Sequence, residues 1–261
     1  MKFTIVTPSF NQGRFIRDCI ESVQRQEGVE TEHIVVDACS TDETLQVLGG
    51  YPHLQWVSEP DEGQTDAINK GFRRASGEWL MWLNADDYLE PGALARVRDF
   101  ISQRPEVRVA YGDAIFVRED GSVIRHKREH RFDPAVLLFY GCYIPSTSCF
   151  YHRSIVDAGH LLDASFKVTM DFEYYVRLMR LGYRFDYLGE PLARFRWHDS
   201  NASNVLAVRR QQERLKVQRA HLVATGRAWL GGGLTLEVLT RLYQLKHNAL
   251  RWLDHPSRRG V

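Results

Sequence analysis

The sequence holds no uncharged apolar run of 18 residues, so no membrane-spanning helix is expected. The apolar run in MKFTIVTP is too short for a signal peptide, so none is expected either. The four cysteines, Cys19, Cys39, Cys142 and Cys149, include no C-x-x-C pair, and their spacing fits no zinc site. Free, buried thiols in a reducing cytoplasm are the expectation that remains. A net charge of only +1 argues against nucleic acid as a bulk partner. Low-complexity tracts and internal repeats are missing. So are two phosphate-binding glycine motifs, G-x-x-x-x-G-K-[ST] anywhere and G-x-G-x-x-G after the first strand. A P-loop is thereby excluded, and a dinucleotide dehydrogenase loses its chief support.

What is present is an ordinary globular balance, 44% hydrophobic and 26% charged over 261 residues. That length suits one large α/β domain, or one domain plus an appendage. The near-neutral total hides a division. From Val205 onward there are 11 Lys and Arg against 3 Asp and Glu, and the preceding residues carry 23 against 30. An acidic body with a basic tail points to an anionic surface for the tail.

Short β-branched runs alternate with amphipathic segments through the first half. FTIVTPSFN (3–11) predicts a buried strand ending in a loop, followed by a helix carrying Phe15, Ile16, Cys19, Ile20 and Val23 on one face. A second strand over 33–36 ends at Asp37, with Ser40 or Thr41 as the next helix cap and acids in its first turn. A third strand near 54–58, a helix near 65–75 and a strand over Trp79–Leu83 follow, with a helix start at Pro91. This β-α-β order predicts a mostly parallel sheet covered by helices on both faces. In the second half, VRVAYGDAIFVREDGSVIRHK predicts two strands, an Asp-Gly turn and a third strand. TMDFEYYVRLMRLG predicts a helix stopped by Gly182, and FDYLGEPLARFRWHDSNASN two short strands and a polar loop. Helical segments near 204–224 and 234–253 close the chain, split by LGGG.

In open parallel sheets, ligands bind beyond the carboxyl ends of the strands. Here those ends carry Ser9 and Asn11, Asp37, Glu59 and Asp61, then Asn84, Asp86 and Asp87. A helix cap or Asx turn is the ordinary role of a single Asp in such a place, and it suffices for Asp42. It does not suffice for Asp86–Asp87, since adjacent carboxylates repel unless a cation lies near them. Oxygen ligation suits Mg²⁺ or Mn²⁺, which commonly bridge carboxylates to substrate phosphates.

The segments TIVTPSFNQGRFIRDCIESVQRQ, VVDACSTDET, SEPDEGQTDAINKGFRRASGEWLMWLNADD and TMDFEYYVRL together resemble the inverting nucleotide-sugar glycosyltransferases of family 2, with a GT-A fold. The resemblance runs in order over roughly residues 2–204. It implies a catalytic domain over 1–204, divided into a nucleotide-binding half (1–111) and an acceptor-side half (112–204), with 205–261 as a basic helical tail. It implies transfer of a single sugar from a nucleotide-diphosphate donor, UDP being the commonest, to an acceptor hydroxyl with inversion. Pro8, Ser9 and Asn11 would line the nucleotide site and Asp37 would meet the base or ribose. Asp61 and Gln64 would lie in the loop closing over the nucleotide. NADD matches the DXD-type motif, with Asn84 at its start, Asp86 approaching ribose or metal and Asp87 ligating the metal. His198 would reach the metal or diphosphate. Asp171 matches the catalytic base. Ile68 stands before Asn69 where many members have Arg, so a donor-phosphate contact is either lost or supplied by Lys70. Met170 replaces the Glu that commonly precedes the base. The Q-x-x-R-W motif of processive synthases is missing, which favours single-sugar transfer.

Near the acceptor hydroxyl, a carboxylate accepts its proton as the bond to the anomeric carbon forms. Asp171 lies at a predicted helix N-terminus, which favours its ionised form, so partial burial is expected to restore its basicity. A surface helix acid is the ordinary role of such an Asp, and a loop histidine that of His198. Tyr140, Tyr143 and Trp197 are candidates to stack on a sugar. His126 and His130 lie in a charged run expected to be solvated. The tail stripe Leu234, Val238, Leu242, Leu245, Ala249 and Trp252, flanked by Arg241, Lys246 and Arg251, suits either an anionic membrane or packing on the body or a second copy. The expected enzyme is thus cytoplasmic, peripheral on the inner membrane face or dimeric through the tail. It would need Mn²⁺ or Mg²⁺ and act on a glycan or lipid-linked acceptor in bacterial cell-surface glycan synthesis, with no nucleic acid partner. Two rivals stand beside it. A nucleotidyltransferase would want a Gly-rich basic loop that TPSFNQGRF lacks, and a catalytically degenerate GT-A domain would serve as a binding or scaffold protein.

Overall fold

The computed structural model describes residues 1–198, 201 and 206–255. Strands β1 (Lys2–Ser9), β2 (Glu30–Asp37), β3 (Gln55–Ser58) and β4 (Trp79–Trp82) alternate with helices α1 (Gly13–Gln24), α2 (Thr44–Gly49) and α3 (Gln64–Arg74). After β5 (Tyr88–Leu89) come α4 (Ala93–Ser102), β6 (Val109–Val117), β7 (Val123–Lys127), β8 (Cys149–His152), α5 (Arg153–Asp157), α6 (Met170–Arg180) and β9 (Phe185–Arg196). Helices α7 (Ala207–Ala224) and α8 (Gly233–Asp254) follow. One sheet runs in the order β3-β2-β1-β4-β8-β6-β9-β5, with β7 paired to β6. β1 to β4 are mutually parallel, β8 lies antiparallel between β4 and β6, and β9 runs parallel to β6.

Period-2 alternation sends side chains to two cores. From β4, Trp79 and Met81 enter one core beside Phe3, Ile5 and Leu94, while Leu80 and Trp82 enter the other beside Phe72, Tyr151 and Tyr174. Trp82 stacks on Tyr151 with ring centroids 5.2 Å apart. Helix α3 is pressed so closely on β1 that a Cβ at Gly71 would lie 2.2 Å from Val6. The helices of the tail also join the core, through Val217, Leu222 and Leu236.

Several local expectations need correction. Ser40 does not cap α2; its amide and hydroxyl turn back to the Asp37 carboxylate, and Asp42 instead accepts from Thr44 N at 3.0 Å. The first turn of α2 holds no acid. The 109–117 segment is one strand, since its pairing with β9 shifts register at Asp113 without breaking. Likewise 185–196 is one strand that passes through Gly189 at φ 81°. Of the four thiols, Cys19 and Cys149 are buried but Cys39 and Cys142 are exposed. His130 is fully buried, because its ring packs on Tyr143 and its Nε2 meets His247 Nδ1 at 2.9 Å. A single turn of π-helix over Val136–Tyr140 has no counterpart in the sequence reading. The expected boundary at 204/205 lies outside the described residues.

Candidate active site

A cavity of about 750 Å³ opens at the carboxyl ends of β1, β2 and β4. Of the residues expected there, Pro8, Ser9, Asp61, Gln64, Asn84, Asp86, Asp171 and His198 line it. The backbone has to turn sharply where β1 and β2 end, and two non-glycine residues take positive φ to do so: Asn11 at 52° and Cys39 at 57°. Asn11 is held there by donating its N–H to Ser40 Oγ at 2.8 Å and accepting from Thr41 N at 2.9 Å. Asp37 is fully buried and builds the neighbouring turn, accepting from Ser40 N at 2.9 Å and Ser58 Oγ at 2.7 Å. Its neighbours Ala38 and Cys39 reach the cavity wall in its place.

On the opposite wall, Asp61 accepts from Gly63 N at 2.8 Å and so shapes the loop into α3. Gln64 Nε2 donates to Asn84 Oδ1 at 2.7 Å, closing that loop on the end of β4. Two expected residues face elsewhere. Asn69 exchanges both amide bonds with the backbone of Leu162, at 2.9 and 3.0 Å. Lys70 pairs with Glu59 at 3.2 Å and Asp66 at 3.3 Å, so its ammonium is already matched to carboxylates and does not line the cavity.

The adjacent carboxylates at the end of β4 point apart. Asp86 faces the cavity, with Oδ2 2.9 Å from His198 Nε2 and 3.4 Å from Asn201 Nδ2. Asp87 faces inward and is 1% exposed. It accepts from Arg196 N at 2.9 Å and from Asn84 Nδ2 at 3.1 Å, tying the β4 end to the strand that delivers His198. Burial, with the Asp86 charge next, pushes the Asp87 carboxyl well above the ordinary range. The expectation that Asp87 ligates a metal meets a carboxylate already occupied and outside the cavity wall; the outward donors are Asp86 and His198. An oxygen and an imidazole nitrogen so placed fit Mg²⁺ or Mn²⁺ as a partial donor set, to be completed by a ligand's phosphate oxygens. Among the described residues, no group of three or more His, Cys, Asp and Glu is arranged to hold a metal by itself.

Asp171, at the start of α6, lines both this cavity and a second one of about 490 Å³. Tyr140, Cys142 and Trp197 lie on the second cavity's wall, whereas Tyr143 is buried beneath it at 1% exposure. The Asp171 carboxylate accepts from Phe172 N at 2.7 Å and from the Cys142 thiol at 3.4 Å. Burial raises its pKa against those two bonds, and the balance stays upward, the direction a general base near neutrality needs. Met170 also reaches the first cavity, its sulfur 2.9 Å from Thr65 Oγ1.

Sequence reasoning missed Asn201, although it stands within the quoted HDSNAS run. It missed Glu213 altogether, because its role depends on a fold-back of α7. That buried carboxylate accepts from the N–H groups of Lys167, Val168 and Thr169, the three residues that lead into Met170 and Asp171.

Comparison with known proteins identifies the family and the fold. The family model described as "Glycosyl transferase family 2" matches residues 4–159. A PGL/p-HBAD biosynthesis glycosyltransferase of Mycobacterium bovis is 31% identical over 181 residues, 67% of this chain and 68% of that protein. The poly(ribitol-phosphate) beta-N-acetylglucosaminyltransferase TarS of Staphylococcus aureus is 27% identical over 46% of this chain, which spans 21% of TarS. The crystal structure of TarS 1–349 in complex with UDP superposes with a TM-score of 0.66 at 17% identity, covering 100% of this chain and 76% of that one. The mannosyltransferase PcManGT of Pyrobaculum calidifontis, in complex with GDP-Man and Mn²⁺, gives 0.63 at 16% identity, covering 99% and 76%. These structural likenesses show the fold, a GT-A arrangement with a helical C-terminal region.

Proposed function

The chain belongs to glycosyltransferase family 2, and from that premise we propose that it moves one sugar from a nucleotide-diphosphate donor to an acceptor hydroxyl, with inversion. The observation that carries this reading is the position of Asp171 where two cavities meet. The first cavity, ringed by the β-strand ends, takes the donor. The second presents the acceptor. As the acceptor oxygen bonds to the anomeric carbon, Asp171 accepts the hydroxyl proton, and the nucleoside diphosphate leaves with the electron pair of the broken bond. A single displacement inverts the centre and needs no carboxylate nucleophile. Asp86 and His198 would hold a divalent cation, which when bound supplies charge neutralisation at the diphosphate. The similar proteins whose names carry UDP, GDP-Man with Mn²⁺ and poly(ribitol-phosphate) support a UDP- or GDP-sugar donor and a glycan or polymer acceptor, in keeping with cell-surface glycan synthesis.

The tail supports a further part of the reading, contact with an anionic membrane. Of the expected stripe, Leu234, Val238, Leu242 and Leu245 stay 49–78% exposed, while the other face of α8 buries Leu236 and His247. Arg241 and Lys246 flank the exposed stripe. Among the described residues, no helix is long and apolar enough to cross a membrane.

The test is Asp171→Asn. It is expected to lower transfer about 10²–10⁴-fold. It should leave intact the rise in melting temperature given by UDP or GDP with Mn²⁺. Transfer at the wild-type rate would remove Asp171 from the chemistry. Loss of nucleotide stabilisation in the wild type would move the chain toward a non-catalytic domain.

A further inference from the structure

Charges on the second cavity's wall are unbalanced in a way the transfer chemistry does not require. Helix α7 brings Arg210 and Arg214 to it, and Lys127 joins them from β7. Lys127 is already matched by Glu129, at 2.6 Å. The two arginines are not. Among the described residues, neither makes an ion pair with a carboxylate. Glu213, the acid nearest in sequence, is taken by Arg209 and by the backbone of 167–169. Like charges at i and i+4 oppose helix formation, so the pair costs stability unless something answers it. Arg214 is moreover half-buried. It donates from Nη2 to Phe139 O at 2.8 Å and Thr240 Oγ1 at 3.1 Å, yet its buried Nε has no partner among the described residues. Burial, with the neighbouring Arg210 charge, pulls its pKa down. Its guanidinium lies against Gly141, where a Cβ would come within 3.5 Å of Cζ. Asp171 is the carboxylate on the same wall.

Resting on the acceptor role given to this cavity, we propose that it binds a phosphate group carried by the acceptor, held by the Arg210 and Arg214 guanidiniums while the reacting hydroxyl meets Asp171. Guanidinium forks match phosphate oxygens bidentately, and a doubly charged group answers both cations at once. The phosphate is kept from the Asp171 end by like-charge repulsion, which orients the acceptor along the cavity. Trp197 and Tyr140 add aromatic surface to the same cavity wall.

The test uses phenyl phosphate, benzoate and neutral phenol as probes on the full chain, by calorimetry, with and without UDP and Mn²⁺. Phenyl phosphate is expected to bind in both conditions, more tightly than benzoate, with phenol showing no heat. Arg210 is exposed and, among the described residues, its side chain makes no hydrogen bond or ion pair, so Arg210→Gln is expected to keep the melting temperature and weaken phenyl phosphate about five- to tenfold. Arg214→Gln repeats the test at the half-buried position, where a lowered melting temperature is also expected. Unchanged affinity in Arg210→Gln, or binding of phenol as tight as phenyl phosphate, overturns the proposal. Benzoate binding as tight as phenyl phosphate overturns the choice of phosphate. Arg210-dependent binding in a protein that transfers no sugar would leave this site standing and remove the transferase reading.

Discussion

Two adjacent aspartates of identical chemistry have opposite surroundings, and that difference is testable side chain by side chain. Asp86 looks into the first cavity beside His198, whereas Asp87 satisfies the N–H of Arg196 at the sheet end. Asp86→Ala is expected to abolish the metal-dependent part of nucleotide stabilisation with little change in the melting temperature of the free protein. Asp87→Ala strands a buried N–H, so it is expected to cost about 1–3 kcal/mol of stability. It should keep some metal-dependent stabilisation. Denaturant titrations and nucleotide-shift melts on both variants check this, and exchanged phenotypes would restore Asp87 as the ligand. The doublet was legible as a functional feature because like charges side by side demand an explanation. Which member faces the ligand was not, since that depends on how the turn after β4 meets the end of β9, more than a hundred residues later. Asp37, Asn69 and Lys70 illustrate the same limit: the polar type was visible, but the partner that takes up each group was not.

At the scale of elements, the N-terminus of α6 depends on α7. Glu213 gathers the three N–H groups just ahead of α6, and Arg209 and those bonds outweigh burial to bring its pKa down to about 2. Glu213→Ala is expected to lower stability by about 1–3 kcal/mol, the cost of leaving buried donors unmatched. Because it frees the segment that sets Asp171, kcat is expected to fall while the nucleotide-induced melting shift persists. Single-turnover assays and melts on Glu213→Ala and Glu213→Gln check this, with Gln recovering part of the loss. Equal kcat would mean α6 holds its place without α7. The β-α-β half was readable because alternating patterns are local. The single long β9, the π-turn and the fold-back of α7 were not, since each follows from packing between distant segments.

For the whole molecule, the ionisable interior predicts an acid-sensitive fold. Burial holds His33 at about 3, and burial with His130 holds His247 at about 3, against an ordinary 6.5. Below pH 6.5 the unfolded chain therefore takes up protons that these folded rings refuse. Stability falls as pH falls, by about 1.4 kcal/mol per pH unit for each ring, down to their folded values. Glu32 and Glu213, brought to about 2 by hydrogen bonds that outweigh burial, add a loss as pH falls from 4.5 toward 2. Asp87 and Asp171, held above the ordinary carboxyl range, offset part of this loss as pH falls toward 3.8. Urea titrations between pH 7 and 4 are expected to show a net decline, removed in His33→Gln with His247→Gln; no decline in the wild type would mean that the rings do not dominate. His247 is bonded to His130, so the same acidification should loosen α8 first. On the proposed membrane reading, the exposed stripe of the tail is the contact surface. Flotation with anionic and neutral vesicles is expected to recover the protein only with the anionic ones, and Leu242→Glu with Leu245→Glu should stop it. A dimer by light scattering that dissociates in that double variant would assign the stripe to a second copy. One arrangement has a broader consequence. The strand-end walls of the first cavity are built largely from the 4–159 segment matched by the family model, but part of the second cavity's wall comes from α7, beyond it. On the proposed reading, recognition of the two reactants is written in partly separable stretches of the chain, so a change confined to α7 would alter the acceptor side and leave the strand-end walls as inherited.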